Sequence, residues 1–299
     1  MKFGLIPLCQ RGRIDSPAWT RSFLAVAEQR GVESVWMPEH VVMAVDYEPL
    51  YEYSDDGRAP IAEDTVMPDP LHWLTFAAAC TDTLQLCTGV LIGPQHSAAI
   101  LAKRLATLDC LSGGRLQVGL GIGWQREEYQ AVGVPYQRRG QRLDELIDAM
   151  RALWCDNPAS FCGDFVDFSN VVCDTRPVRP GGVPLHIGGS SAAAAKRAGL
   201  RGNGFFPYVI SPEAVAARLE ELRATAIAAR RPLPQDFPVT VWPASYRPGA
   251  TFDVGLARAY RDAGVTRLVC TAAEAGEDTD LPAIDQFIGR YQDSVMGAL

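Results

Sequence analysis

Short runs dense in apolar and β-branched residues recur along the 299-residue chain, separated by longer stretches in which apolar residues return every three or four positions. The runs predict strands at residues 2–7, 34–37, 84–92, 116–121, 184–188, 204–208, 239–244 and 267–271. They are near-continuous rather than alternating, the pattern of parallel strands covered on both faces. Between them, Ser16-Pro17, Asp69-Pro70 and Ser211-Pro212 each set an N-cap oxygen ahead of a proline at the first helical position, where its missing N–H costs nothing. Gly31, Gly113 and Gly264 close helical runs. Residues 142–154 carry Leu143, Leu146, Ile147, Met150, Leu153 and Trp154 on one face and stop before Asn157-Pro158, and Ile284, Phe287, Ile288, Tyr291 and Val295 repeat the spacing later. Eight strand–helix units in a chain of this length predict the α/β class and a (β/α)8 TIM barrel rather than an open sheet. No linker divides the chain, so residues 1–299 are expected to form a single domain. Two segments exceed ordinary connections, residues 41–68, rich in Tyr, Asp, Pro and Glu, and residues 155–183. The first follows the second strand, which in a barrel makes it an insertion loop over the face formed by the strand carboxyl ends.

Composition narrows the partner. A hydrophobic content of 47% supports a full core, while a formal charge of −7 without a basic cluster argues against nucleic acid or an anionic membrane surface and for a small-molecule partner. No apolar stretch approaches the roughly 20 residues of a membrane span, and "MKFGLIPLCQ" lacks a signal-peptide pattern, so a cytoplasmic location is expected. Eight cysteines without a CxxC read as reduced, buried thiols. His72 and His186 have no partner at metal-ligand spacing and H-E-x-x-H is absent, so no metal is expected; G-x-S-x-G is absent too.

Four stretches carry candidate chemistry. "RLQVGLGIGWQREEY" sets Gly119, Gly121 and Gly123 at alternate positions, which does not match G-x-G-x-x-G but clears one strand face for another backbone or a flat ring. A tight barrel interior needing small residues is the structural alternative. "SVWMPEH" places Glu39 and His40 at a strand's carboxyl end, with His40 suited to proton transfer and Glu39 placed to tune it; a purely structural histidine is the alternative. In "LCTGVLIGPQHS", Gly89 inside a β-branched run suggests a bulge, and His96 reads as surface or helix start. "LHIGGSSAAAAKRAG" leads Gly188, Gly189, Ser190 and Ser191 into a helix, the arrangement of a phosphate grip or of a plain serine N-cap. Cys9 lines the pocket or is a buried thiol, and Tyr208 and Trp242, near the ends of later strands, are candidates to line a substrate.

Together, "WMPEH", "TGVLIGPQHSAAILAKRLATLDCLSGGRLQVGLGIGWQREEYQAVGVP" and "LHIGGSS" resemble the luciferase-like family of flavin- and deazaflavin-dependent oxidoreductases, and the chain is most similar to the actinobacterial branch that uses coenzyme F420. The insertion "YEPLYEYSDDGRAP" also looks like that branch. The resemblance implies an enzyme that transfers a hydride between F420 and a small organic substrate. An FMN-dependent monooxygenase using reduced flavin and oxygen is the alternative, since only dispersed arginines such as Arg11, Arg13 and Arg126 are present for the anionic tail of F420. A non-catalytic flavin- or deazaflavin-binding protein is a third reading. By the same resemblance, a ring-binding bulge, often a non-proline cis peptide, falls on Gly89 and Val90, and the catalytic acid–histidine pair on Glu39 and His40 against the ring edge. Gly121, Gly123 and Trp124 border the cofactor, with Gln125 and Arg126 at the pocket mouth, and Gly188, Gly189 and Ser190 lie near its phosphate. The glycines then make room for a flat cofactor, and a homodimer is implied.

Overall fold

The computed structural model describes residues 1–62, 65–243, 249–276 and 280–299. In chain order the elements are β1 (Lys2–Ile6), α1 (Pro17–Gln29), β2 (Ser34–Met37), α2 (Pro70–Cys80), β3 (Gln85–Ile92), α3 (Ala98–Leu111), β4 (Leu116–Gly121), α4 (Arg126–Ala131) and α5 (Arg139–Cys155). There follow β5 (Ala159–Cys162), β6 (Asp167–Val171), β7 (Leu185–Gly188), α6 (Ala192–Arg201), β8 (Gly204–Phe206), α7 (Pro212–Ala228), β9 (Thr240–Val241), α8 (Val254–Asp262), β10 (Arg267–Thr271) and α9 (Leu281–Ser294). Eight strands form one parallel sheet in the order β8-β7-β4-β3-β2-β1-β10-β9. Its two ends meet through the parallel bridges Phe205↔Val239 and Tyr208↔Trp242, which bring the sheet to a nearly closed barrel with helices outside. All eight expected strands are present; the seventh is only two residues long, and residue 244, its expected end, lies outside the described residues.

The caps act as the sequence suggests. Ser16, Asp69 and Ser211 accept hydrogen bonds from the backbone N–H of Trp19, His72 and Ala214, opening α1, α2 and α7. Gly31, Gly113 and Gly264 adopt φ values of 69°, 65° and 98°, which glycine reaches without a Cβ penalty. Helix α5 buries Leu143, Leu146, Ile147, Met150, Leu153 and Trp154 against the barrel wall, each such side chain contributing about 1.5–3 kcal/mol.

The two-residue period of the strands divides the core. Outward residues such as Leu5, Val35, Leu86, Val118, Ile187 and Leu268 join the helices in one large cluster. Inward residues Ile6, Trp36, Cys87, Phe206 and Val269 form a separate cluster that plugs the barrel. Trp36 and Phe206 pack with ring centroids 4.6 Å apart, and the Trp36 indole N–H donates to Ser34 at 2.8 Å.

The long segment 155–183 carries a hairpin of its own: β5 and β6 pair antiparallel around a turn in which Gly163 N–H donates to Val166 O at 2.9 Å. One expectation changes. The thiols are all free, yet only Cys87, Cys173 and Cys270 are buried; Cys9 and Cys80 are half-buried, and Cys110, Cys155 and Cys162 are exposed because they sit at helix and hairpin edges. Among the described residues no helix is long and apolar enough to cross a membrane.

Candidate active site

The carboxyl ends of the strands form one mouth, and β3 shapes its floor. Its pairing with β4 slips between Thr88 and Leu91, and the Gly89-Val90 peptide is cis, where the resemblance implied it. Gly89 rests on the plug: a Cβ there would lie 3.2 Å from both Phe206 and Trp36. The glycines of β4 and β7 turn out to serve β3 itself. A Cβ on Gly119 would stand 2.2 Å from Thr88 O, one on Gly121 2.6 Å from Val90 Cγ2, and one on Gly188 2.7 Å from Val90 Cγ1. This corrects the expectation that their clearing is filled by a flat cofactor: it is filled by the β3 backbone and the Val90 isopropyl group, which stands half-exposed as an apolar knob in the mouth.

His40 and Glu39 are adjacent in sequence, but they serve different partners. Glu39, 6% exposed, accepts from Ile92 N–H at 2.6 Å and lies 3.0 Å from His96 Nε2. The expectation that Glu39 tunes His40 is therefore corrected, and His96, read as surface or helix start, stands half-buried beside Glu39 just ahead of α3. The carboxylate at His40 is Glu128, on α4: Nδ1 lies 3.1 Å from Glu128 Oε2, and Oε1 of the same group accepts from Val41 N–H at 2.6 Å. Glu128 is fully buried. Among the described residues Nε2 of His40 carries no hydrogen bond, and the ring meets Trp124 edge-on at 6.0 Å.

The insertion after β2 crosses the mouth as a strap, and α4 with its N-cap residue grips it. Gln125 Oε1 accepts from Ala44 N–H at 3.3 Å, Glu127 Oε1 from Glu48 N–H at 3.0 Å, and Arg126 pairs with Glu48 at 2.9 Å. The strap then lays tyrosines along the strand ends. Tyr47 and Tyr51 pack edge-on against Trp124, Tyr51 and Tyr208 bring their hydroxyls to 3.0 Å, and Tyr53 packs on Tyr208, which in turn packs on Trp242. Burial pushes the Tyr53 phenol up to about 12. The Cys9 carbonyl accepts from Val66 N–H near the end of the insertion, and burial raises its thiol to about 11, which keeps it protonated.

The loop after β7 is more committed than a bare phosphate grip. The Ser190 hydroxyl bonds both Tyr208 N–H and Tyr208 O, Ser190 N–H donates to the Tyr53 hydroxyl, and Ser191 caps α6 through Ala194 N–H. Both serines thus fasten the loop to its neighbours, while Gly188 and Gly189 stay half-buried. The cations near the mouth are also engaged: Arg126 with Glu48, and Arg139 stacked on Tyr136 while donating to Gly123 O.

Gly89, Val90, Gly123, Trp124, Gly188 and Gly189 all remain accessible to water, so the strand ends keep a recess. An apolar knob, aromatic walls and an imidazole nitrogen at the edge suit the tricycle of a flavin or deazaflavin. No group of three or more His, Cys, Asp or Glu able to hold a metal occurs among the described residues. Sequence reading missed Glu128 and the strap tyrosines Tyr47, Tyr51 and Tyr53; for Glu128 the acidic pair closing "WQREE" was the available signal, without any indication of its target.

Residues 1–274 match the family model described as luciferase-like monooxygenase. An F420-dependent glucose-6-phosphate dehydrogenase of Kineococcus radiotolerans is 31% identical over 64% of this chain, and an FMNH(2)-dependent dimethylsulfone monooxygenase of Pseudomonas putida is 34% identical over 50% of it. The matched stretches span 52% and 42% of those relatives' own lengths. Among solved structures, an F420-dependent secondary alcohol dehydrogenase in complex with an F420-acetone adduct superposes with a TM-score of 0.76 over 100% of this chain and 99% of that one, at 18% identity. Sequence motifs, barrel topology and the match over most of the chain agree: this protein belongs to the luciferase-like monooxygenase family.

Proposed function

We propose that the chain is an oxidoreductase that transfers a hydride between coenzyme F420 and a small organic substrate, with His40 as its acid/base residue. The observation that carries this reading is the free Nε2 of an imidazole whose other nitrogen is held by a buried carboxylate at the mouth of the barrel. Similarity to the F420-dependent relative covers more of the chain than similarity to the FMNH(2)-dependent one, 64% against 50%. When bound, the deazaflavin supplies the carbon that takes up or releases the hydride. Val90 and Gly89 would support the ring, Gly123 and Trp124 would border it, and Gly188, Gly189 and Ser190 would lie toward its phosphate. His40 takes or gives a proton at Nε2. The strap excludes water from the recess. Glu39 acts at one remove, fixing the β2 end to Ile92 and His96.

A second reading, FMN as the cofactor, draws on the pairing of Arg126 with Glu48 and of Arg139 with Tyr136 and Gly123 O, partners with which the longer anionic tail of F420 has to compete. A third, a carrier without a substrate pocket, draws on the Tyr51–Tyr208 contact. Titration of the purified protein with each cofactor, followed by fluorescence, separates the first two. Tighter binding of F420 is expected, and binding of FMN alone overturns the assignment. With saturating cofactor, His40→Ala lowers the hydride-transfer rate by about 10²-fold or more. An unchanged rate removes His40 from the chemistry, and no turnover of any substrate by the wild type leaves the carrier.

A further inference from the structure

Glu128 uses its two oxygens for two neighbouring donors, the His40 ring and the Val41 backbone N–H. A carboxylate accepts only, so the short contact to Nδ1 makes that nitrogen the donor and leaves Nε2 toward the recess. A fully buried carboxylate stripped of its donors is strongly disfavoured, and here both donors lie on one two-residue segment at the root of the strap. They are gained or lost together. The anchor beneath is firm: Tyr129, next in α4, is fully buried, its hydroxyl donates to Ile122 O, and Val132 N–H bonds back to Glu128 O at 3.0 Å. The residues flanking Glu128 hold the strap further along, at Ala44 and Glu48.

We propose that Glu128 is a positioning residue that fixes, through Nδ1, which nitrogen of His40 exchanges a proton at the mouth, and that the strap seats on the same carboxylate, so ring orientation and strap closure form one event. The proposal rests on the reading of His40 as the acid/base group. No contact of Glu128 with substrate or cofactor is involved. Its consequence is that the imidazole is set for proton transfer only when residues 40–41 are down.

Nitrogen-15 NMR of the full-length wild type, with the His40 signals identified by their loss in His40→Ala, tests the orientation without turnover. A protonated Nδ1 in slow exchange is expected; an unprotonated Nδ1 overturns the proposal. Glu128→Leu, which removes both acceptors at similar volume, is expected to free the Nδ1 proton and the Val41 amide to faster exchange together. It also lowers kcat by about 10²-fold while KM stays within about twofold. Retention of either exchange protection, or a change in KM alone, overturns the coupling. Glu39→Gln removes the charge of the chain-adjacent carboxylate and leaves the His40 Nδ1 signal in place. If Glu128→Leu does not fold, the wild-type spectra decide: exchange of the Nδ1 proton and the Val41 amide at one common rate is expected, and clearly different rates overturn the coupling. A protonated Nδ1 in a protein that binds neither cofactor sinks the proposed function and leaves this inference standing, whereas F420 turnover with an unprotonated Nδ1 does the reverse.

Discussion

The two ends of the barrel use similar residues to opposite effect. At the amino end, Glu33 lies 2.7 Å from Arg267 and 3.1 Å from Lys2, Arg267 also donates to Thr240, and Gln117 donates to Gln85 at 3.1 Å. Burial pushes Glu33 up, but hydrogen bonds and charge from Arg267 outweigh it and hold the carboxyl below its usual range. His186, sealed in the wall nearby, is driven down to about 3, chiefly by burial, and stays neutral. Charges there are matched against each other beneath the Trp36–Phe206 plug, around a cleft lined by Lys2, Glu33, Gln85 and Gln117. At the carboxyl end Glu128 and Glu39 are also buried, yet each holds a histidine that remains partly accessible, with side-chain exposures of 11% and 16%. One end closes its charges against each other; the other leaves a ring nitrogen open to a ligand. Burial alone therefore does not mark a site, and neither does an unpartnered nitrogen, since His186 Nδ1 is also without a hydrogen bond; what sets His40 apart is that its open nitrogen sits on a partly accessible ring at the strand ends.

Changes at the amino end should cost stability and spare cofactor affinity. Arg267→Met leaves Glu33 with only Ser34 and the exposed Lys2 and lowers unfolding free energy by about 3 kcal/mol, toward the low end for a broken buried pair because Glu33 is 22% exposed. Chemical denaturation reads the loss, and a cofactor dissociation constant that shifts as well breaks the contrast between the ends. His186 gives the acid limb of stability. Its folded pKa lies below the unfolded value, so neutral His186 stabilises the fold fully above about pH 6.5, and the unfolded chain alone gains the proton as pH falls from there toward about 3. The contribution drops by about 1.4 kcal/mol per pH unit across that window. In His186→Gln the stability profile between pH 6 and 4 flattens relative to wild type, and an identical slope refutes the assignment.

At the carboxyl end the order reverses. Gly121→Ala drives a methyl to 2.6 Å from Val90 Cγ2, with a penalty of about 1–3 kcal/mol that appears mainly as weaker cofactor binding. The double substitution Gly121→Ala with Val90→Ala restores most of it, and strict additivity of the two disproves their contact. Tyr51→Phe removes the hydroxyl that meets Tyr208, loosening the strap by about 0.5–1.5 kcal/mol. Amide exchange at Val41 and Ser190 reports that change, and no acceleration at either places the strap's hold elsewhere.

The barrel was legible because its signals are local. Ser16, Asp69 and Ser211 announce helices within three residues of themselves, and a run such as residues 116–121 can pair with neighbours on either side whatever they are. The site was legible only in part. His40 was found from its place at a strand end, but its carboxylate lies 88 residues away, a pairing fixed by tertiary packing. Adjacency misled for the same reason: just past the end of β2, Glu39 turns toward His96 while His40 turns toward α4. The glycines signalled a close approach correctly, while what approaches, Val90, depends on the slip in β3 that no spacing reveals.

Because residues 125–128 each engage the segment 40–48, the loops after the second and fourth strands cannot be exchanged one at a time. A chimera that imports a foreign loop after β2 inherits a buried anion with nothing to neutralise it, and one that imports a foreign α4 leaves the arch unmoored. Engineering of selectivity in this scaffold has to transplant both pieces as a single cassette.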